Sequence, residues 1–231
     1  FEERGDKIAL AKPFKNKTDA SAFGGLRAQL LKLVLAPEKN DGFLQKKPQL
    51  AGDFTYAAAW VLLQDIYRLP DSWPGIEALI SGQLKQEYQT PFLHSDRWAG
   101  FKAWASFLGL GLSVKNDGGL TIDVTNPVYF ALREVLPAKS WLPVSDVVDG
   151  VAERLPILDR GEYRQQVLEQ FRERDRLSAQ QLSPAFSAAL LRLRHEKRIE
   201  LEVRSDAPSM ALTGRNFSEL ERVSHVKVGT R

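Results

Sequence analysis

Apolar residues recur along the chain at two periods. Trp98, Phe101, Ala105 and Leu108 fall at i, i+3, i+7 and i+10, one face of a helix within His94–Gly111. Ser95 or Asp96 can cap its start, and Gly109 or Gly111 can end it. Phe186, Ala189, Leu190 and Leu193 form a second stripe over Leu182–Arg198. Ser183 followed by Pro184 is a helix start: the hydroxyl can accept from a free first-turn amide, and proline lacks only an N–H that would be unpaired there anyway. Similar spacing predicts helices over Thr55–Tyr67, Gly75–Gln86, Ser145–Arg154 and Glu162–Arg174, and a short one at Ala179–Leu182. Asp19–Ala36 is predicted helical, with Phe23, Leu26, Leu30, Leu33 and Val34 as its apolar positions and Pro37 as its end.

The other period is two. Leu201 and Val203 alternate with Glu200, Glu202 and Arg204, as in a half-buried strand. Three segments share the order strand, polar turn, strand. They are Phe1–Ala11, turning at Gly5-Asp6; Leu110–Thr125, turning at Asn116-Asp117-Gly118-Gly119; and Lys197–Gly214, turning at Ser205-Asp206-Ala207-Pro208. The second turn is rich in residues that tolerate the positive φ of tight hairpins.

The last two hairpins directly follow a helix, which is the second half of a winged helix. The helices before them supply the first half. The predicted fold is therefore mostly α with small β-hairpins, arranged as tandem winged helix-turn-helix units. Residues 1–12 would be the wing of an N-terminal winged helix whose helices lie outside this chain. Residues 13–42 would be a linker and connecting helix, 43–137 a second winged helix and 138–231 a third. The alternative for the first residues is a flexible N-terminal arm.

Composition narrows the chemistry. The 231 residues are 43% hydrophobic, enough for a sizeable core. Cysteine is absent, which excludes disulfides, thiolate metal ligands and a thiol nucleophile, and points to a reducing, cytoplasmic setting. Apolar runs such as Ala57–Leu63 are too short to span a bilayer, so no membrane partner is expected. The three histidines, His94, His195 and His225, lack metal-ligand spacing and read as surface or helix-end residues. No phosphate loop and no nucleophile elbow is present. Glu200-x-Glu202 with Asp206 is a distant echo of a nuclease site, better explained by alternating charges on the wet face of a hairpin. The expectation is a protein that is not an enzyme and has no cofactor or metal.

The net charge of +3 permits binding to nucleic acid without requiring it. Its placement says more. Pro184–Arg198 carries Arg192, Arg194, Lys197 and Arg198 against Glu196 alone, a local excess equal to that of the whole chain. Arg192, His195 and Arg198 lie away from the Phe186/Leu190/Leu193 stripe, on the outer face of a recognition helix. With Arg204 on the following strand, Arg192, Arg194, His195, Lys197 and Arg198 are the candidate contacts to the backbone of double-stranded DNA. The plainer explanation is a basic helix end that offsets its own dipole.

The helix within His94–Gly111 has a different character. Trp98, Phe101, Trp104 and Phe107 occupy more than one face. Such a helix is either buried on two sides or docked on a partner, which makes Trp104 and Phe107 the candidate protein-binding residues. Trp73 and Trp141 could extend that surface.

The stretch DRWAGFKAWASFLGLG (Asp96–Gly111), with FTYAAAWVLLQDIYRLP before it and LPVSDVVDGVAERLPILDRGEYR after it, resembles a known group of proteins. These are winged-helix accessory proteins encoded in bacterial gene clusters for DNA modification and phage defence, in particular the G component of the 7-deazapurine-in-DNA cluster. The resemblance runs from Asp53 onward and rests on hydrophobic and turn residues. It implies a cytoplasmic subunit working beside other proteins of a defence or modification assembly. No catalytic residue carries over. The function expected is a non-catalytic DNA-binding or DNA-positioning subunit of such an assembly; the alternative is a winged-helix protein–protein adaptor that never touches DNA.

Overall fold

Helix α2, Gly52–Leu62, explains how the chain is centred. Nearly all its side chains are buried, from Thr55 to Leu62, because three consecutive alanines let neighbouring helices approach closely while Tyr56 and Trp60 fill the space between them. A computed structural model describes residues 2–4, 7–9, 23–44, 51–89, 94–113, 119–136, 140–172, 178 and 180–229. The other helices are α1 (Phe23–Val34), α3 (Trp73–Gln83), α4 (Ser95–Leu108), α5 (Thr125–Val135), α6 (Val144–Arg154), α7 (Glu162–Leu168) and α8 (Pro184–His195), of which α4 and α7 pack on α2. The sheets are small and antiparallel: β1 (Glu2–Arg4) with β2 (Lys7–Ala9), and β3 (Gly111–Ser113) with β4 (Leu120–Ile122). A three-stranded sheet has the order β5 (Leu142–Pro143), β9 (His225–Val228), β6 (Ile199–Glu202), and a further pair joins β7 (Met210–Thr213) to β8 (Glu219–Val223). The molecule is mostly helical with small β pairs, as expected.

The first two expected hairpins form. Arg4 pairs with Lys7 on either side of Gly5-Asp6, and Ser113 pairs with Leu120. The first turn, Gly5-Asp6, residues 114–118 of the second and the linker Lys12–Lys17 lie outside the described residues. Helix α4 buries the expected Trp98, Phe101, Ala105 and Leu108. It ends at Gly109, whose φ of 81° is left-handed and suits glycine.

The third expected hairpin does not form. β6 pairs with β9, register Ile199↔Val228, and not with Ser209–Leu212. β7 is buried along its whole length, unlike the half-exposed β6, so it belongs beneath α8. One of its edges is taken by β8. On the other side Leu182 N donates to Ala211 O and Ala211 N donates to Gln180 O, at 2.9 and 2.7 Å. That same pairing replaces the short helix expected at Ala179–Leu182: Gln181 forms a parallel bridge with Ala211, and Ala179 lies outside the described residues.

Other boundaries shift for local reasons. The helix expected over Glu162–Arg174 ends at Leu168, since Phe171 bridges Leu84 and Arg172 N donates to Gln83 O at 2.7 Å. In α1 the buried side is one position away from the expected stripe. Leu31 and Leu35, 1% and 3% exposed, face the core, whereas Leu33 is 55% exposed. α5 was not expected at all. It buries Val128, Ala131 and Leu132 and packs against α1, α6 and α8. Gly150 of α6 allows that approach: a Cβ there would sit 2.6 Å from a Val135 methyl. α2 likewise packs on α7, so helices cross the expected boundary at residue 137.

Candidate functional site

The basic end of α8 is built by a well-capped helix. Ser183 Oγ accepts from Phe186 N at 3.3 Å. The buried Asp159 carboxylate accepts from Ser183 N at 2.7 Å and from Ser183 Oγ at 2.6 Å, which fixes the helix start. Pro184, Ala185, Phe186, Ser187, Ala189, Leu190 and Leu193 are all buried. α5 covers one side and β7 another, where Thr213 N donates to Ser187 Oγ at 2.8 Å. A helix enclosed this way cannot lay its N-terminal half in a groove of DNA. What reaches solvent is the C-terminal turn.

There the structure gathers the candidate bases, and most have acidic partners. Arg192 pairs with Asp123, and Arg194 with Glu221 at 2.6 Å. Arg198 pairs with Glu196 at 3.3 Å and stacks its guanidinium 3.4 Å from the centre of the Tyr129 ring. Arg204 grips Glu202 through two hydrogen bonds of 3.3 and 3.2 Å. That grip holds the Glu202 carboxyl below its ordinary range. His195 is exposed at the helix end, as expected. Lys197 is exposed, with no carboxylate partner among the described residues. It adopts φ 58°, the left-handed position that closes a helix and where glycine is usual. Exposed pairs of this kind are weak, about 0–1 kcal/mol, so they can exchange partners.

Glu200 and Glu202 are equally accounted for. Glu200 pairs with Lys227 at 2.8 Å and Glu202 with Arg204, the alternation of a wet strand face. Among the described residues, no three His, Cys, Asp or Glu side chains gather as a metal site. One histidine departs from expectation. His225 is buried in β9, only 9% exposed, with Nδ1 3.0 Å from Ser224 Oγ. Its neighbours Val226 and Val223 are core residues, so the strand carries it inward.

The aromatic helix presents a second surface. Trp104 is 56% exposed and Phe107 42%, although α4 buries its other two aromatics, Trp98 and Phe101. Their rings meet edge to face at 5.8 Å. Leu112, on the strand that follows, is 63% exposed. Trp73 instead packs against the core, and Trp141 lies under Lys227 and Arg204, 5.1 and 5.8 Å from them.

A third feature was not anticipated. Arg164 of α7 is buried beside a cavity lined by Leu63, Leu168, Phe171 and Met210. Its place three residues before the buried Val167 puts it on the inner face, and that spacing was the available signal.

A mainly helical protein with small antiparallel sheets, offering an exposed aromatic pair and a basic helix end laced with acids, is the class these features define. The chain belongs to the DpdG-like family, which matches residues 1–207. This is the G component of the 7-deazapurine-in-DNA cluster to which the sequence resemblance pointed, and the match extends to the N-terminal residues before Asp53. The family places the chain in a DNA-modification gene cluster. No curated protein and no solved structure matches it. Among the described residues, no helix is long and apolar enough to cross a membrane.

Proposed function

We propose that the chain is a non-catalytic adaptor subunit of a bacterial DNA-modification or phage-defence assembly, holding a protein partner against α4. The observation that carries this is the exposed pair Trp104 and Phe107, 56% and 42% accessible on a helix whose other aromatics are buried. Large aromatics left in water on a folded surface are what binding interfaces use as anchors. The strand order β5-β9-β6, with α8 immediately ahead of β6, supports a winged helix in the C-terminal unit, with the β7–β8 pair inserted between its last two strands. Fold alone does not choose between DNA and protein as the partner. The enclosed N-terminal half of α8 favours protein. The test is co-expression with the other proteins of the same gene cluster, followed by co-elution. Replacing Trp104 and Phe107 together with Ser should weaken the complex by about thirtyfold or more while leaving the fold intact. Undiminished co-elution of the folded variant would overturn the reading.

Binding to the DNA backbone is the second reading, favoured by Lys197, exposed in its left-handed position at the end of α8. Replacing Lys197 together with Arg192, Arg194 and Arg198 by Ala should then flatten the slope of log affinity against log salt by about 0.9 for each phosphate that is no longer neutralised. An unchanged slope would exclude it.

A further inference from the structure

The cavity beside α7 goes beyond the adaptor reading. Its volume is about 740 Å³, within the roughly 300–1,000 Å³ typical of small-molecule sites. Leu63, Leu168, Met210 and the rings of Phe171 and Phe217 form its apolar walls. Against them stands Arg164, only 5% exposed. Its Nη1 donates to Leu62 O at 2.5 Å, a carbonyl at the end of α2. Among the described residues that is the one hydrogen bond its guanidinium makes, although the group carries five N–H donors. The nearby carboxylate, Asp159, is already engaged by Ser183 N and Oγ. Arg160, at the same cavity, is held by Asp149 at 2.9 Å. Burial of this cation against a neutral carbonyl disfavours its charge, and Asp159 offsets that only in part; an anion in the cavity, whose lining also offers Ser178 and Gln181, would offset more.

We propose that this cavity binds a small phosphomonoester with a flat apolar body, its phosphate received by Arg164 and its ring held between the walls of Phe171, Phe217 and Met210. The planar guanidinium fork matches two phosphate oxygens, and aromatic walls favour a ring over an aliphatic chain. Gln165, also lining the cavity, can donate to or accept from polar edges of the ring.

The proposal is tested by calorimetric titration of the whole chain with three probes: adenosine 5′-monophosphate, adenosine and inorganic phosphate. Saturable binding of the monophosphate is expected, at least about tenfold tighter than either part alone. Arg164→Gln should weaken it by about ten- to a hundredfold, the weight of a charge-assisted hydrogen bond. Leu168→Trp, one turn beyond Arg164 on the same helix, fills the cavity and should abolish binding at the same probe concentrations. This second variant keeps the test decisive if Arg164→Gln, by releasing Leu62 O, fails to fold. Absence of saturable monophosphate binding by the folded chain, or binding that survives Leu168→Trp undiminished, would overturn the proposal.

Discussion

α4 with β3, and α8 with β6, are built to one plan: a helix that runs almost directly into a strand. They differ in which side of the helix is finished. α4 buries one face through Trp98 and Phe101, whose rings stack at 5.2 Å, and leaves Trp104 and Phe107 outside. α8 is enclosed by α5 and β7 along its first half and shows only a charged end whose arginines already meet Asp123, Glu221 and Glu196. The comparison teaches that a shared local plan does not assign a shared role. The helix that looks like a recognition element by its charge is a core element by its packing. The one that looks like core by its composition keeps an aromatic face in water.

Truncation of the inward aromatics is the strongest way to sharpen that contrast. Phe186→Ala and Phe101→Ala should each cost about 3–5 kcal/mol in chemical denaturation, as deletions of large buried rings do. Phe186 is fully buried and Phe101 is 7% exposed, between Trp98 and Phe54. A loss below about 1 kcal/mol at Phe101 would show that α4 does not have a finished inner face. A smaller effect is expected at Asp159. Changing it to Ala leaves both Ser183 N and Ser183 Oγ without their acceptor, at about 1–3 kcal/mol, measurable as a lowered denaturation midpoint. If that change were neutral, the start of α8 would not depend on its buried cap. The least effect should come from Trp104→Ala and Phe107→Ala, each within about 0.5 kcal/mol of the parent stability. A larger loss at either would mean that the ring supports the fold, and the contrast between the two helices would collapse.

Much of this was readable from residue order where the signal is local. Ser183-Pro184 marks the start of α8, and Gly109 marks the end of α4 with its left-handed φ of 81°. Trp98, Phe101, Ala105 and Leu108 needed only helical spacing. What failed depends on distant segments. α5 was hidden because Thr125-Asn126-Pro127 reads as the end of a hairpin, while its Val128, Ala131, Leu132 stripe is short. Strand pairing failed at β6, because alternation says that a segment is a strand and not which edge it meets. The candidate bases were found, but their acidic partners were not, since Asp123 and Glu221 come from other elements. Arg164 was missed because a cation on an inner helix face looks in sequence like any surface arginine.

The pairing of Ile199 with Val228, around an intervening β7–β8 pair, has a consequence for how the molecule is made. During synthesis α8 and β6 emerge well before the strands that cover them. Until Thr213 has left the ribosome the underside of α8 lacks the β7 surface that seals it, and until Val228 has left it β6 lacks its partner strand. This half of the protein can therefore close only late, through contacts between residues far apart in the chain, the kind that slow folding and leave apolar surface bare in the meantime. α2 and the two helices packed on it, α4 and α7, need nothing beyond Leu168 and can assemble first, giving the late strands a formed platform on which to dock.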